Sequence, residues 1–208
     1  MPRKTRPSAT HPIVDQLRFT RSEWQRALAG LSEEDAAVHH GPMNSIGWIV
    51  GHLAWQEQRY LLHRPQKVLI RRDIQKRFAS GGPMSTPALG QTMAAWREIT
   101  EAADPFLDRI ATADLVKDLP MVTGRPSGQS LGSAIRRMTY HYWFHIGEIL
   151  AIRQVLGQKG LPEYVGAIER EAPYRPEATD KGLAAKAKRG SGTGSTRVPT
   201  RRARTAGR

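Results

Sequence analysis

Two histidines four residues apart, His141 and His145, stand in the aromatic run "HYWFH". On an α-helix each residue turns by about 100°, so residues i and i+4 project in one direction, and two imidazoles so placed can reach one metal ion. The competing reading is a pair of buried neutral imidazoles, each satisfied by a carbonyl or a water, because two histidines also fall four apart by chance. The arc that carries them runs through Ala134, Met138, His141, His145, Glu148, Ile152 and Val155, and its mostly small or apolar character predicts that it faces a protein interior. Gly147, beside the pair, is expected to let another backbone come close.

A third imidazole strengthens the metal reading. His52 lies in "IGWIVGHLAWQEQRYLL", flanked by Trp48, Ile49, Leu53 and Trp55, with Gly47 and Gly51 four apart. One histidine from this helix and an i,i+4 pair from another make a face of three nitrogens. A metal held this way keeps positions open for water or substrate, the layout of a catalytic rather than a closed structural site. Two neighbours are candidates for catalysis. Glu148 could be a fourth ligand, an acceptor for an imidazole N–H, a general base, or simply an ion-pair partner for an arginine such as Arg59. Gln56, one turn after His52, could polarise a bound water. Trp48, Trp55, Tyr142 and Trp143 read as core or pocket wall. His39, His40 and His63 read as surface residues, and His11 is assigned nothing.

The segments "IGWIVGHLAWQEQRYL" and "TYHYWFHIGEILAIRQVLG" resemble the two signature helices of the DinB-like (YfiT-like) metalloenzyme superfamily. The resemblance covers roughly Ile13 to Gly157 and is specific at those two helices. It implies a four-helix bundle with a three-histidine site, one ligand on the second helix and two from an HxxxH on the last; His52, His141 and His145 fill these places. It also implies a divalent metal, zinc or nickel in the first instance and otherwise iron or manganese. The chemistry it implies is thiol-dependent transfer or isomerisation with a low-molecular-weight thiol such as mycothiol, bacillithiol or glutathione. Dimers are usual in similar bundles, so a homodimer is expected.

Four helices must position these side chains. The first is predicted from Pro12 to Leu28, with Ile13, Leu17, Trp24 and Leu28 at helical spacing and Gly30 as its stop. The second starts at an Asn44 or Ser45 cap and ends near His63 with the help of Pro65. A long connection containing a short helix follows. Thr86-Pro87 is the predicted start of the third helix, which carries Leu89, Met93, Trp96, Ile99 and Ala103 on one face and is kinked or split at Pro105. Residues 115–129 suggest a hairpin, and the fourth helix runs from Ser130 to Gly157. The predicted fold class is therefore all-α, a four-helix bundle with a long connection between its second and third helices.

The net charge of +13 on 208 residues first suggests a nucleic-acid binder, but the charge is unevenly spread. Residues 1–10 carry three basic groups and residues 181–208 carry nine, with no acid in either stretch. Removing those twelve charges leaves +1 for residues 11–180. The expected organisation is a basic disordered tail over 1–10, the helical domain over 11–178 and a second basic disordered tail over 179–208. Contact of that tail with nucleic acid, the helices serving only as a scaffold, is an alternative function. It has no aromatic interleaving or recognition motif to support it. Hydrolysis at the metal is the nearest alternative within the enzyme class. With no cysteine there is no disulfide framework, thiolate ligand or cysteine nucleophile. No apolar run follows the charged N-terminus and none approaches membrane-spanning length, so a cytoplasmic protein is expected.

Overall fold

The computed structural model describes residues 10–163 and 165–176. The predicted basic tails thus lie outside the described residues, except for Thr10. All regular structure among the described residues is helical. In chain order the elements are α1 (Pro12–Leu28), α2 (Glu33–Ala37), α3 (Ile46–Glu57), a π-helical turn (Gln58–His63), α4 (Arg64–Gln66), α5 (Arg72–Arg77), α6 (Leu89–Leu107), α7 (Thr112–Leu115), α8 (Leu131–Val155) and α9 (Ile168–Glu171). Four of these are long. Helix α1 packs most extensively on α8 and α3 on α6, while α3 also meets α8. The fold is all-α, as predicted.

Caps explain several boundaries. Ser45 Oγ accepts the Trp48 N–H at 3.2 Å and donates to the Ser85 carbonyl at 2.8 Å, so it starts α3 and pins the later connection to it. Ser130 Oγ accepts the Ser133 N–H and starts α8. His11, which the sequence left without a role, is buried and accepts the Ile13 N–H through Nδ1, which caps α1 ahead of Pro12.

Other boundaries depart from expectation. The third long helix begins at Leu89, not at Thr86-Pro87, because the Glu33 carboxylate of α2 accepts the N–H groups of Leu89 and Gly90 at 2.6 and 2.7 Å. A carboxylate on orphan helix donators also matches the positive end of the helix dipole. Pro105 stays inside α6, two residues from its end, where little ladder remains to break. The second long helix passes through its π turn and over Pro65, and stops only at Lys67, with φ 61°. The predicted hairpin over 115–129 reduces to a single bridge between Asp118 and Ser130. Arg64 holds that loop: its guanidinium donates to the carbonyls of Leu119 and Pro120, to Ser127 Oγ and to Gln129 Oε1.

The core joins the four long helices through Leu17 and Trp24 of α1, Ile49 and Leu53 of α3, Ile99 and Leu107 of α6, and Met138 and Ile149 of α8. Each such side chain contributes about 1.5–3 kcal/mol when fully buried. Within this apolar packing runs a polar chain that touches all four helices. Arg21 donates to both oxygens of Glu57 at 2.8 Å and to Asp104 at 2.9 Å. Tyr142 Oη donates to Glu57 at 2.9 Å and accepts from Trp96 Nε1 at 2.6 Å. Every partner of the buried Glu57 carboxylate is thus a donor, the condition under which a buried charge is tolerated.

Candidate metal centre

Helices α3 and α8 bring three imidazoles together. Helix α3 needs close neighbours to do so. A Cβ on Gly47 would lie 2.5 Å from the Pro87 carbonyl oxygen, and one on Gly51 would lie 2.6 to 2.8 Å from Phe78 ring carbons. The two glycines therefore let the connection after α5 lie directly on α3. That approach delivers the Phe78 carbonyl to His52, whose Nδ1 donates to it at 2.8 Å. Trp48 and Trp55 stack on the same imidazole, with ring centroids at 5.0 and 5.3 Å and interplanar angles of 11° and 24°. His52 is fixed in position and ring plane.

From α8, His141 and His145 project one turn apart, with ring centroids 4.5 Å from one another and 5.2 and 5.6 Å from His52. His52 and His145 are buried, and His141 is half-buried. One nitrogen from each ring falls within 4.8 Å of the others.

The hydrogen bonds around the rings decide which nitrogens face inward. His145 Nδ1 lies 2.7 Å from Glu148 Oε2, and His141 Nδ1 contacts Gln56 Oε1. With the Phe78 carbonyl on His52, all three Nδ1 atoms meet an oxygen that accepts. Each Nδ1 therefore carries the proton, and each Nε2 presents a lone pair. His141 Nε2 and His145 Nε2 stand 3.0 Å apart, two acceptors with no proton left to share between them. A cation between the rings relieves that repulsion, so the residues present fit a divalent metal. Burial, with smaller contributions from His145, His52 and Arg137, pushes the His141 imidazole down to about 3. Burial also lowers His52, partly offset by the Phe78 carbonyl. Both favour the neutral ring that a metal requires.

All five site residues predicted from sequence lie together, in more specific relations than spacing could give. Glu148 sits on His145; the ion pair with Arg59 does not form, since that guanidinium lies over Trp55 at 5.4 Å. Gln56 sits on His141. Tyr142 is core, and Trp48 and Trp55 are walls of the site. Three local expectations are corrected. Gly147 has no neighbour within 4 Å of its Cβ position, so no backbone approaches there. The interior stripe of α8 ends at Ile152, because the bundle no longer covers Val155, which is 70% exposed. His39, His40 and His63 are half-buried rather than surface residues; His39 Nδ1 pairs with the Met43 carbonyl. Sequence reasoning missed Phe78, whose contribution is a backbone carbonyl and leaves no trace in residue type.

Beside the imidazoles lies a cavity of about 690 Å³. One wall is α3 and its π turn, through His52, Trp55, Gln56 and Tyr60; the other is α8, through residues from Ser133 to His141. Its volume falls in the range of small-molecule sites.

Fold and site define an all-helical protein with a buried group of three histidines able to hold a metal ion. The sequence model of the DinB superfamily matches residues 16–149, and the chain belongs to that superfamily. The matched span contains all three histidines together with Gln56 and Glu148. No curated protein matches the chain. Among the described residues no helix is long and apolar enough to cross a membrane.

Proposed function

We propose that the protein is a metal-dependent enzyme in which His52, His141 and His145 hold one divalent cation, zinc or nickel in the first instance, with iron or manganese as alternatives. The observation that carries this reading is the gathering of the three imidazoles, one nitrogen of each within 4.8 Å of the others, while every Nδ1 is tied to an oxygen. When bound, the metal would act as a Lewis acid, lowering the pKa of a thiol or water and polarising a carbonyl-type substrate. The chain's own groups do the positioning. Glu148 fixes the tautomer and orientation of the His145 ring, and the Phe78 carbonyl does the same for His52. Gln56 orients His141 and also lines the cavity, where its carboxamide can meet a substrate. Trp48 and Trp55 keep His52 out of water.

Transfer or isomerisation assisted by a low-molecular-weight thiol is the chemistry proposed for the site. The chain holds no cysteine, so the thiol would have to come from outside it. A homodimer is the proposed assembly. Elemental analysis of protein carrying no histidine tag tests the core of the proposal. The expected result is about one zinc or nickel per chain, lost in His141→Ala. Protein without metal that also takes up none on addition of zinc or nickel would overturn it.

A further inference from the structure

We propose that the cavity beside the histidines takes a small-molecule substrate bearing an oxyanion, a carboxylate or phosphate, that docks on Arg136 and Arg137. The proposal deepens the reading of this pocket as the active site of a metal enzyme. Both arginines line the cavity from α8. Ser133, Arg136, Arg137, Tyr140 and His141 follow one another at helical spacing, so the guanidiniums stand on the same face as the first histidine of the pair. Arg137 precedes His141 by one turn, about 6 Å along the axis. A molecule of a few bonds spans that distance, with its charged end on the arginines and its reactive end at the imidazoles.

Charge makes the case specific. Among the described residues no carboxylate lines the cavity. Among the described residues Arg136 reaches the Tyr140 hydroxyl, at 3.5 Å, and neither arginine pairs with a carboxylate in the pocket wall. Two arginines thus line the cavity beside a site for a divalent cation, and the described pocket wall offers them no acid. An anionic substrate would. The guanidinium fork matches the two oxygens of a carboxylate or phosphate and binds them by paired charge-assisted hydrogen bonds. Tyr60, Tyr140 and Trp55 supply rigid ring surface for the body of the molecule.

The test is calorimetric titration of the metal-free full chain with inorganic phosphate, with succinate and with neutral succinamide, all at one ionic strength. Phosphate, succinate or both should bind saturably at one site per chain, and succinamide should not. Binding should weaken at least tenfold in Arg136→Gln/Arg137→Gln and stay unchanged in Arg201→Gln/Arg202→Gln, the control for the basic C-terminal segment. Both targeted side chains are exposed and glutamine is a good helix former, so the variant keeps its fold. Phosphate alone assigns a phosphorylated substrate, and succinate alone a carboxylate. No binding of either anion, equal binding in Arg136→Gln/Arg137→Gln, or loss confined to the Arg201/Arg202 variant overturns the proposal. Because no metal is present, failure of the metal site leaves this outcome readable, and His141→Ala should still bind the anion.

Discussion

Each imidazole of the site is held by a different kind of acceptor: a backbone carbonyl on His52, a carboxamide on His141 and a carboxylate on His145. Only the last brings charge, and an ionised acceptor makes roughly twice as strong a hydrogen bond as a neutral one. Glu148→Gln removes the charge while leaving an oxygen of the same reach. Metal affinity should fall by about 10- to 100-fold, read by competition with a chromophoric chelator. Unchanged affinity would mean that Glu148 does not act through His145. Gln56→Ala should lower affinity less, because a neutral acceptor is lost and water in the cavity can replace it.

At the scale of the elements, the site depends on how closely the connection after α5 lies on α3. Gly51→Ala places a methyl 2.6 to 2.8 Å from Phe78 ring carbons, and neither the ring nor the helix can yield freely in a packed core. The expected cost is about 1–3 kcal/mol in urea unfolding, together with weaker metal binding as the Phe78 carbonyl moves from His52. Loss of stability with metal affinity intact would separate the two roles. Tyr142→Phe tests the other device that unites the long helices. It removes one hydroxyl that serves two buried partners, Glu57 and Trp96. Denaturant titration should show a loss of about 1–3 kcal/mol, since Trp96 Nε1 keeps no acceptor.

For the whole molecule, a metal held between α3 and α8 would tie the two halves of the helical packing together. A ligand that binds only the folded state stabilises it by mass action, about 2.7 kcal/mol at a free concentration 100 times Kd. For a chain of this size that corresponds to a rise in Tm of about 5–11 °C. Differential scanning calorimetry should therefore show a lower Tm after chelation, restored by zinc or nickel. In His141→Ala chelator and metal should leave Tm where it is. An equal response of the wild type and the variant would place the metal elsewhere.

Much of this protein is legible in its sequence. Periodic apolar residues place the four long helices because a helix must bury a stripe, and that requirement is local. The i,i+4 spacing of His141 and His145 puts both rings on one face for the same reason. The sequence also singled out Gln56 and Glu148, one turn from His52 and nearly one from His145. It could not choose among the roles of Glu148, because Arg59 and His145 are equally plausible partners until the fold sends that arginine onto Trp55. Contacts between distant segments decided the rest. Glu33 moves the start of α6, Phe78 orients His52 by a carbonyl every residue possesses, and the open side of α8 leaves Val155 and Gly147 uncovered. Residue type and spacing determine which groups can bind a metal. Only the tertiary structure brings three separate rings together, because the acceptor that orients each ring comes from wherever the fold places it.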